Sequence, residues 1–356
     1  MKKFLKLSLL GIIFLSLLIG GCGKSTPENQ AGQGSDDSGE KIELKFSTTM
    51  PDVEFESHPA ARAIKSFIDN VENKSEGKVE IKLYTGGQLS QNTETDFVGM
   101  QSGSFQFTNP AMGSWGEYTK AFMPFNIAYL FKNEEVIHEF LDGDLGNKMR
   151  EDALKDTNIR FLAFLDNGFR HITNSKREIK TPEDMQGIKI RTMQDPYQIK
   201  AMEALGASPT PLAYSELYTA LQQGVVDAQE NPLSNIYQAK FYEVQKYLTL
   251  SKHNFTLLTL CMSNKKFESL PQDIQEIIVE EAKNAETLSR QLSLESQKSL
   301  LSEIEQKMQV YDLTQEEFMA FQEKAKTSWD DVKEAIGEDY YNQIIEEVNR
   351  LNSEVK

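Results

Sequence analysis

The sequence is poor in cysteine and histidine, the residues on which many metal and nucleophile sites depend. Its 356 residues include only two cysteines, Cys22 and Cys261, which rules out the disulfide framework of a small secreted domain. The four histidines are not spaced at i, i+4 or in any other pattern typical of zinc: His58, His138, His171 and His253. We therefore predict neither a metal site nor a cofactor.

Motifs of the common enzyme classes are also missing. The sequence has no phosphate-binding loop of the form G-x-x-x-x-G-K-[ST], no H-E-x-x-H and no G-x-S-x-G. Catalytic groups assemble in space, so a secreted hydrolase stays open as an alternative class. It would need a nucleophile or a metal set in a cleft, and the sequence offers none. We predict that the protein is not an enzyme.

Positive charge is in the minority. Thirty-eight lysines and arginines face 54 acidic residues, and the net charge is -16. Such a chain repels nucleic acid and does not steer an anionic solute towards itself, so any anion site must be a local cationic cavity. The content of 39 % hydrophobic and 26 % charged residues suits a soluble globular protein, and the length predicts two lobes.

The longest apolar run lies at the N-terminus. Three lysines precede the run from residue 7 to 19, and two glycines follow it, which is the layout of a signal peptide. The run is shorter than the roughly 20 residues that a membrane-spanning helix needs. The residues LIGGC, which end at Cys22, resemble the lipobox of bacterial lipoproteins. This resemblance implies cleavage before Cys22 and attachment of a lipid, including palmitate, to the protein.

We therefore expect a signal peptide over residues 1–21 and a lipid anchor at Cys22 on the extracytoplasmic face of the membrane. Residues 22–40 have no bulky apolar side chain and predict a flexible tether. The alternatives are an uncleaved anchor and an ordinary secretory signal with a chance cysteine.

From Lys41 the pattern alternates between strands and helices. An alternating strand from Lys41, an amphipathic helix over 59–73 and a second strand over 78–84 form a βαβ unit. Further strands are predicted at 104–108, 159–165, 168–174, 187–192, 225–229 and 254–263, with helices at 93–101, 133–155, 195–205, 214–223 and 233–243.

A long helix follows. Gly and Pro are absent from Gln272 to Met308, which as one helix would run about 55 Å. Ser269 with Gln272, and Thr314 with Glu317, fit capping boxes at two helix starts.

Two arginines stand near predicted strands and are candidates for binding an anion. Arg170 lies in GFRHITN and Arg191 in GIKIRTM. A guanidinium is a permanent charge whose planar fork can meet a carboxylate with two parallel hydrogen bonds. Arg191 stands where its strand should end, and strand ends face the ligand crevice in α/β lobes. On spacing alone, a surface arginine paired with one of the 54 acidic residues is the competing interpretation.

Nearly the whole sequence from Lys41 is similar to the solute-binding proteins of TRAP (tripartite ATP-independent periplasmic) transporters. The likeness rests on GIKIR, ALGASPTPL, SELYTALQQG and VVDAQENP, which occur in the family's order and spacing. The resemblance implies two α/β lobes that close over one ligand, joined by hinge strands and a long helix. It also implies docking on the large and small membrane subunits of an importer driven by an ion gradient.

The resemblance implies roles for individual residues. Arg191 matches the arginine that binds the ligand carboxylate, and Arg170 matches a second arginine that often reaches the same ligand. Asn231 matches an asparagine that contacts the ligand from the second lobe. Tyr214 stands where the family often has an aromatic residue against the ligand. Ala228 replaces the family's usual glycine, a harmless departure.

The first lobe is expected to carry the variable part of the site. FQFTNPAMGSW contains Asn109 and Trp115 in the selectivity loop, and it lacks the glutamate that sialic acid binders have there. Trp115 fits the cleft and the core equally well. His58 and Gln88 follow strands of this lobe and are candidates to line the cleft, with a capping or surface role as the alternative.

We thus expect an α/β, two-lobed fold of the periplasmic-binding-protein type with a long helix spanning both lobes. The predicted first lobe is 41–165 plus 254–290, and the second is 166–253 plus 291–356 with the C-terminal helices. The predicted function is capture of a small organic acid for a TRAP-type importer by a monomeric lipoprotein. C4-dicarboxylates, sugar acids and keto or hydroxy acids all stay open as ligands. A sensing protein that presents the acid to a receptor is the alternative.

Overall fold

A computed structural model describes residues 41–354. The predicted signal peptide, Cys22 and the tether lie outside the described residues. Within this range the chain forms ten strands: β1 Ile42–Ser47, β2 Val79–Tyr84, β3 Phe107–Thr108, β4 Ile159–Asn174, β5 Lys189–Thr192, β6 Ser208–Pro211, β7 Ala228–Pro232, β8 Tyr247–Leu250, β9 Phe255–Ser263 and β10 Gln309–Asp312.

Helices cover and connect these strands. The α-helices in the described part of the chain are α1 Pro59–Lys74, α2 Thr93–Ser102, α3 Glu134–Asp142, α4 Asp144–Thr157, α5 Pro196–Ala204, α6 Leu217–Gln222, α7 Leu233–Gln238, α8 Asn264–Glu268, α9 Gln272–Glu305, α10 Gln315–Ala325, α11 Trp329–Ile336 and α12 Glu338–Glu354. Short 3-10 helices include Asp52–Glu56, Met112–Trp115, Lys120–Asn126 and Tyr214–Glu216. None of the helices over residues 41–354 combines the length and the apolar character needed to cross a membrane.

The strands form two half-sheets that share β4. The first half-sheet has the order β2-β1-β3-β9 followed by residues 159–169 of β4. The second half-sheet joins residues 170–174 of β4 to β7, β5 and β6 on one side and to β8 and β10 on the other. β1 pairs in parallel with β2 and β3, and β5 pairs in parallel with β6 and β7. Carboxyl ends of parallel strands from both half-sheets are therefore available for one cleft.

β4 was predicted as two strands and is one. The strands predicted at 159–165 and 168–174 are continuous, and between Asp166 and Gly168 the structure has a bulge in the pairing with β9. Gly168 has a φ of 114°, a conformation that glycine adopts without the steric cost of a side chain. The bulge turns the strand from one half-sheet into the other without interrupting the chain's extended path.

Buried apolar faces hold the helices on the sheets. Ile64, Phe67 and Val71 follow one another at helical spacing in α1 and are buried against the first half-sheet. β9 is buried along its whole length, and it includes Cys261, whose exposure is 0 %. At the C-terminus, α10 packs with the second half-sheet through Phe321, while Val348 of α12 lies in the aromatic cluster beside the first. The residue division into two lobes stays a prediction.

The predicted long helix exists and contacts both half-sheets. α9 has 34 residues, which corresponds to about 51 Å, and it packs on α1 and β4 as well as on α7 and β10. Its predicted Ser269 cap is wrong, because the helix begins after Pro271 and the Ser269 hydroxyl instead donates to the Lys266 carbonyl. The predicted box at α10 is confirmed: the Thr314 N–H donates to the Glu317 carboxylate at 2.8 Å, and the Glu317 N–H donates to the Thr314 hydroxyl at 3.3 Å.

Candidate functional site

A cavity of about 130 Å³ lies between the two half-sheets. Its volume is about ten times the ~10–15 Å³ that one ordered water requires. Residues that follow β1 and β3 line one side, and residues of β5, β7 and the segment after β6 line the other. Five of the eight predicted ligand-binding residues line it: Arg170, Arg191, Asn231, Tyr214 and Asn109.

Arg191 lies next to the end of β5 and is 3 % exposed. Its Nε and Nη2 donate to the Leu212 carbonyl at 3.0 and 2.7 Å, which fixes the plane of the guanidinium. No carboxylate lies within ion-pairing distance among residues 41–354, and Nη1 has no acceptor there. Burial lowers the pKa of Arg191 to about 10, with the charge of Glu230 acting in the opposite direction. The side chain stays cationic at neutral pH and carries an uncompensated charge into the cavity.

Arg170 is also buried, but its charge is neutralised. It lies in β4 and forms a bidentate ion pair with Glu230, in which Nη2 donates to Oε1 at 2.8 Å and Nε donates to Oε2. Its Nη1 donates to the Thr256 hydroxyl at 3.0 Å. Burial by itself raises the pKa of Glu230, yet Arg170 and the hydrogen bond from His253 hold it at about 2.

Asn231 and Tyr214 complete the second half-sheet's side of the cavity. The Asn231 amide oxygen accepts from Arg170 Nη2 at 3.3 Å, and its Nδ2 donates to Gln229 at 2.6 Å. The Tyr214 hydroxyl donates to Glu54 Oε1 at 2.8 Å and accepts from Asn235 at 3.2 Å. Because Glu54 follows β1 and Tyr214 follows β6, this hydrogen bond joins the two sides of the cleft.

The first half-sheet's side is mainly neutral and polar. Asn109 follows β3, is 6 % exposed, and donates to the Met50 sulfur at 3.4 Å. Other neutral polar side chains on this side are Thr49, Gln91, Asn92, Thr93, Thr108 and Ser114. They offer hydrogen bonds of both kinds to a ligand, without a fixed charge.

Three of the candidate residues do not line the cavity. Trp115 is fully buried in the aromatic core, where its ring meets Phe161 edge-on and its Nε1 donates to Thr259 at 3.0 Å. Gln88 is exposed in the turn after β2. His58 is fully buried just ahead of α1, and burial lowers its pKa to about 4, opposed by the amides of Asn235 and Asn167. His58 therefore sits behind two cavity residues rather than among them.

The sequence did not reveal three buried carboxyl groups around the cavity. Glu230 neighbours Asn231 in the strand, and its role beside Arg170 depends on pairing of β4 with β7. Glu54 is fully buried, and burial raises its pKa to about 7, partly opposed by the Tyr214 hydroxyl. Asp96 in α2 lines the cavity and is 4 % exposed. No pattern of spacing separates these three from the other acidic residues of the chain.

The sequence and the fold resemble those of proteins of known kind. A family model described as bacterial extracellular solute-binding protein, family 7, matches residues 51–335. The C4-dicarboxylate-binding periplasmic protein DctP of Rhodobacter capsulatus is 30 % identical over 302 residues, which cover 84 % of this chain and 88 % of that protein. The 2,3-diketo-L-gulonate-binding periplasmic protein YiaO of Escherichia coli is 31 % identical over 239 residues, or 67 % of this chain and 72 % of that one.

Solved structures agree with the family model. The sugar acid binding protein DctPAm of Advenella mimigardefordensis, in complex with galactonate, matches with a TM-score of 0.82 and 32 % identity, over 88 % of this chain and 99 % of that chain. The match confirms the predicted α/β, two-lobed fold with a long helix across both lobes. The family consists of solute-binding proteins rather than enzymes. The chain belongs to family 7 of the bacterial extracellular solute-binding proteins, the binding proteins of TRAP transporters.

Proposed function

We propose that this protein captures a small organic acid through Arg191 and delivers it to a TRAP-type importer. The observation that carries the proposal is the buried guanidinium of Arg191, which has no carboxylate partner among the described residues and lines the cavity. Acid ligands of the relatives support it, since DctP of R. capsulatus is named for C4-dicarboxylates and DctPAm holds galactonate.

The geometry of Arg191 suits a carboxylate. The Leu212 carbonyl takes one edge of the fork, and Nη1 is left without an acceptor among residues 41–354. An unpaired charge in a buried site is costly, so a ligand anion that meets it removes that cost. Closure of the cleft excludes water and strengthens the pair. The protein binds and releases its ligand unchanged, and we propose no reaction for it.

Replacement of Arg191 tests the proposal. We expect Arg191→Ala to abolish binding of an acid that the wild type binds, and Arg191→Lys to bind it poorly, because an ammonium lacks the planar fork. Binding is measured by calorimetry after a thermal-shift screen of organic acids, in which ligand at 100 times its Kd adds about 2.7 kcal/mol.

A second arginine provides the control. Arg177 also donates to backbone carbonyls, those of Asp184 and Gln186, but it is exposed and outside the cavity. Arg177→Ala should bind the acid like the wild type. Native affinity in Arg191→Ala would overturn the assignment.

We also propose that the mature protein begins at a lipidated Cys22 and functions as a monomer tethered to the extracytoplasmic face of the membrane. The basic, apolar and small segments before Cys22 and the polar segment after it support this. Mass spectrometry of the mature protein should find a lipid on Cys22, and Cys22→Ser should carry none while binding the ligand with an unchanged Kd. A wild-type protein that has no lipid and keeps residues 1–21 would show an uncleaved anchor, and one that has no lipid and lacks them would show an ordinary secretory signal.

A further inference from the structure

Within the described part of the chain, Asp96 is the one acidic side chain that lines the cavity, while the carboxyl group of Glu54 is bonded to the Tyr214 hydroxyl and does not line it. Asp96 belongs to α2, lines the cavity, and is 4 % exposed. Its Oδ1 accepts from the Thr108 hydroxyl at 2.8 Å. No lysine, arginine or histidine of residues 41–354 lies within ion-pairing distance of it. The Asp96 carboxyl group thus meets the cavity without a compensating cation.

The environment of Asp96 disfavours further negative charge. Burial raises the pKa of Asp96 to about 7, partly opposed by the Thr108 and Ser90 hydroxyls. Near neutral pH the group is therefore either a protonated acid or a poorly solvated anion. Both forms can hydrogen-bond a hydroxyl group, while a second carboxylate beside it would add like charge in a buried place.

The charges that line the cavity as a whole also disfavour a second carboxylate on the ligand. Its lining contains two cations, Arg170 and Arg191, and one acid, Asp96. Arg170 is neutralised by Glu230 at its own side, so the positive charge in excess is that of Arg191 alone. The cavity therefore compensates one carboxylate, and the neutral side chains such as Gln91, Thr93 and Asn109 are suited to hydroxyl groups.

Building on the proposed function, we propose that the ligand is a hydroxylated monocarboxylate, a sugar acid of the aldonate type. Its carboxylate meets Arg191, its distal hydroxyl groups meet the side that carries Asp96, and Asp96 excludes a second carboxylate. Family membership alone does not decide this point. The relatives include both the dicarboxylate-binding DctP and the structure with galactonate.

Pairs of acids that differ at one end test the ligand class. The two acids of each pair have the same carbon chain and differ at one end, where the first has a hydroxyl group and the second a carboxylate. The pairs are galactonate with galactarate, gluconate with glucarate, and erythronate with tartrate. Calorimetry on the wild-type mature protein should find the tightest ligand among the monocarboxylates. That monocarboxylate should bind at least ten times more tightly than its dicarboxylate partner and than succinate.

The outcomes separate the two proposals. If succinate or any of the sugar dicarboxylates binds as tightly as the best monocarboxylate, the inference about ligand class is wrong while the proposed function stands. If none of these acids binds, the inference about ligand class is wrong, and the proposed function is decided by the wider screen of organic acids and the Arg191 variants.

Variants at Asp96 test the residue itself. Asp96→Asn keeps the size and an oxygen that can accept from the Thr108 hydroxyl but removes the charge, so the preference for a monocarboxylate over its dicarboxylate partner should fall at least threefold. Asp96→Leu should weaken the best monocarboxylate at least tenfold. Glu94, which lies two residues earlier in α2 and is exposed, provides the control, and Glu94→Gln should change neither quantity.

A purely structural role for Asp96 gives a different pattern. It would lower the affinities of both acids of a pair alike, or lower the thermal midpoint, and leave their ratio unchanged. An unchanged ratio in Asp96→Asn would overturn the role of Asp96. The wild-type comparison tests the ligand class even if a variant fails to fold.

Discussion

Single buried carboxyl groups make this protein's stability depend on pH. Glu54 is fully buried, and its folded pKa of about 7 lies above its ordinary value of 4.5. Because the folded pKa is raised, the contribution of Glu54 to stability is fully present below pH 4.5. It is lost as the pH rises through 7. The amount lost is on the order of 3 kcal/mol, from about 1.4 kcal/mol per pH unit between 4.5 and 7.

A Glu54→Gln variant isolates this contribution. The amide oxygen can still accept the Tyr214 hydroxyl, and it does not titrate. Relative to the wild type, the variant should gain stability between pH 5 and pH 8, measured by urea unfolding at each pH. Glu56→Gln, at an exposed position of the same 3-10 helix, should track the wild type. A pH-independent difference for Glu54→Gln would show that Glu54 is ionised in the folded protein at pH 5.

How well the place of a single residue could be predicted from the sequence depended on the chemistry of its side chain. The place of Arg191 beside the cavity could be predicted from its position at a strand end and inside a matched motif, while spacing alone also allowed a surface ion pair. Trp115 could not be assigned, because an indole suits a cleft and a core equally, and the neighbours that decide it, Phe161 and Thr259, are distant in the sequence. The burial of Asp96 depends on contacts of α2 with β3 and β9, which spacing within α2 does not reveal.

At the scale of elements, α9 is attached to β4 through one buried acid. Glu286 is 1 % exposed on its side chain, and its Oε2 accepts from the Phe164 backbone N–H at 3.1 Å and from Arg150 at 3.3 Å. Its Oε1 accepts from Arg290 at 2.8 Å. A helix face and a central strand thus share one carboxylate.

Removal of this carboxylate should be costly. Glu286→Ala leaves the buried Phe164 N–H without its acceptor and removes one acceptor each from Arg150 and Arg290, so we expect a loss of roughly 3 kcal/mol in the free energy of unfolding. Glu280→Ala on the same helix removes an exposed pair with Lys74 and should cost less than about 1 kcal/mol. Equal losses in the two variants, measured by chemical denaturation, would contradict this role of Glu286.

Element types were predicted better than element ends. The bounds of α1, β2 and β9 were predicted within a residue or two, because α1 and β2 each have one apolar face and β9 is a nearly continuous apolar run. The helix predicted at 133–155 is two helices that meet at Gly143, and the strand predicted at 104–108 is only Phe107–Thr108.

At the scale of the whole molecule, a cationic cavity lies inside a protein of net charge -16. The long-range field repels an anionic ligand, and salt screens that repulsion. The association rate constant should therefore rise with ionic strength, and more steeply for a dianion than for a monoanion. Stopped-flow fluorescence at several salt concentrations measures this. A rate constant that falls with added salt would show local steering by a positive rim.

Cys261 has a practical consequence for watching the lobes move. Its side chain is 0 % exposed, and burial raises the pKa of its thiol well above the usual value. Reagents that attack thiolates at the surface therefore do not reach it. In a variant without Cys22, spectroscopic labels would attach only to cysteines introduced at the exposed positions Val53 and Val225. One label would then lie beside each half-sheet, and the native thiol need not be removed.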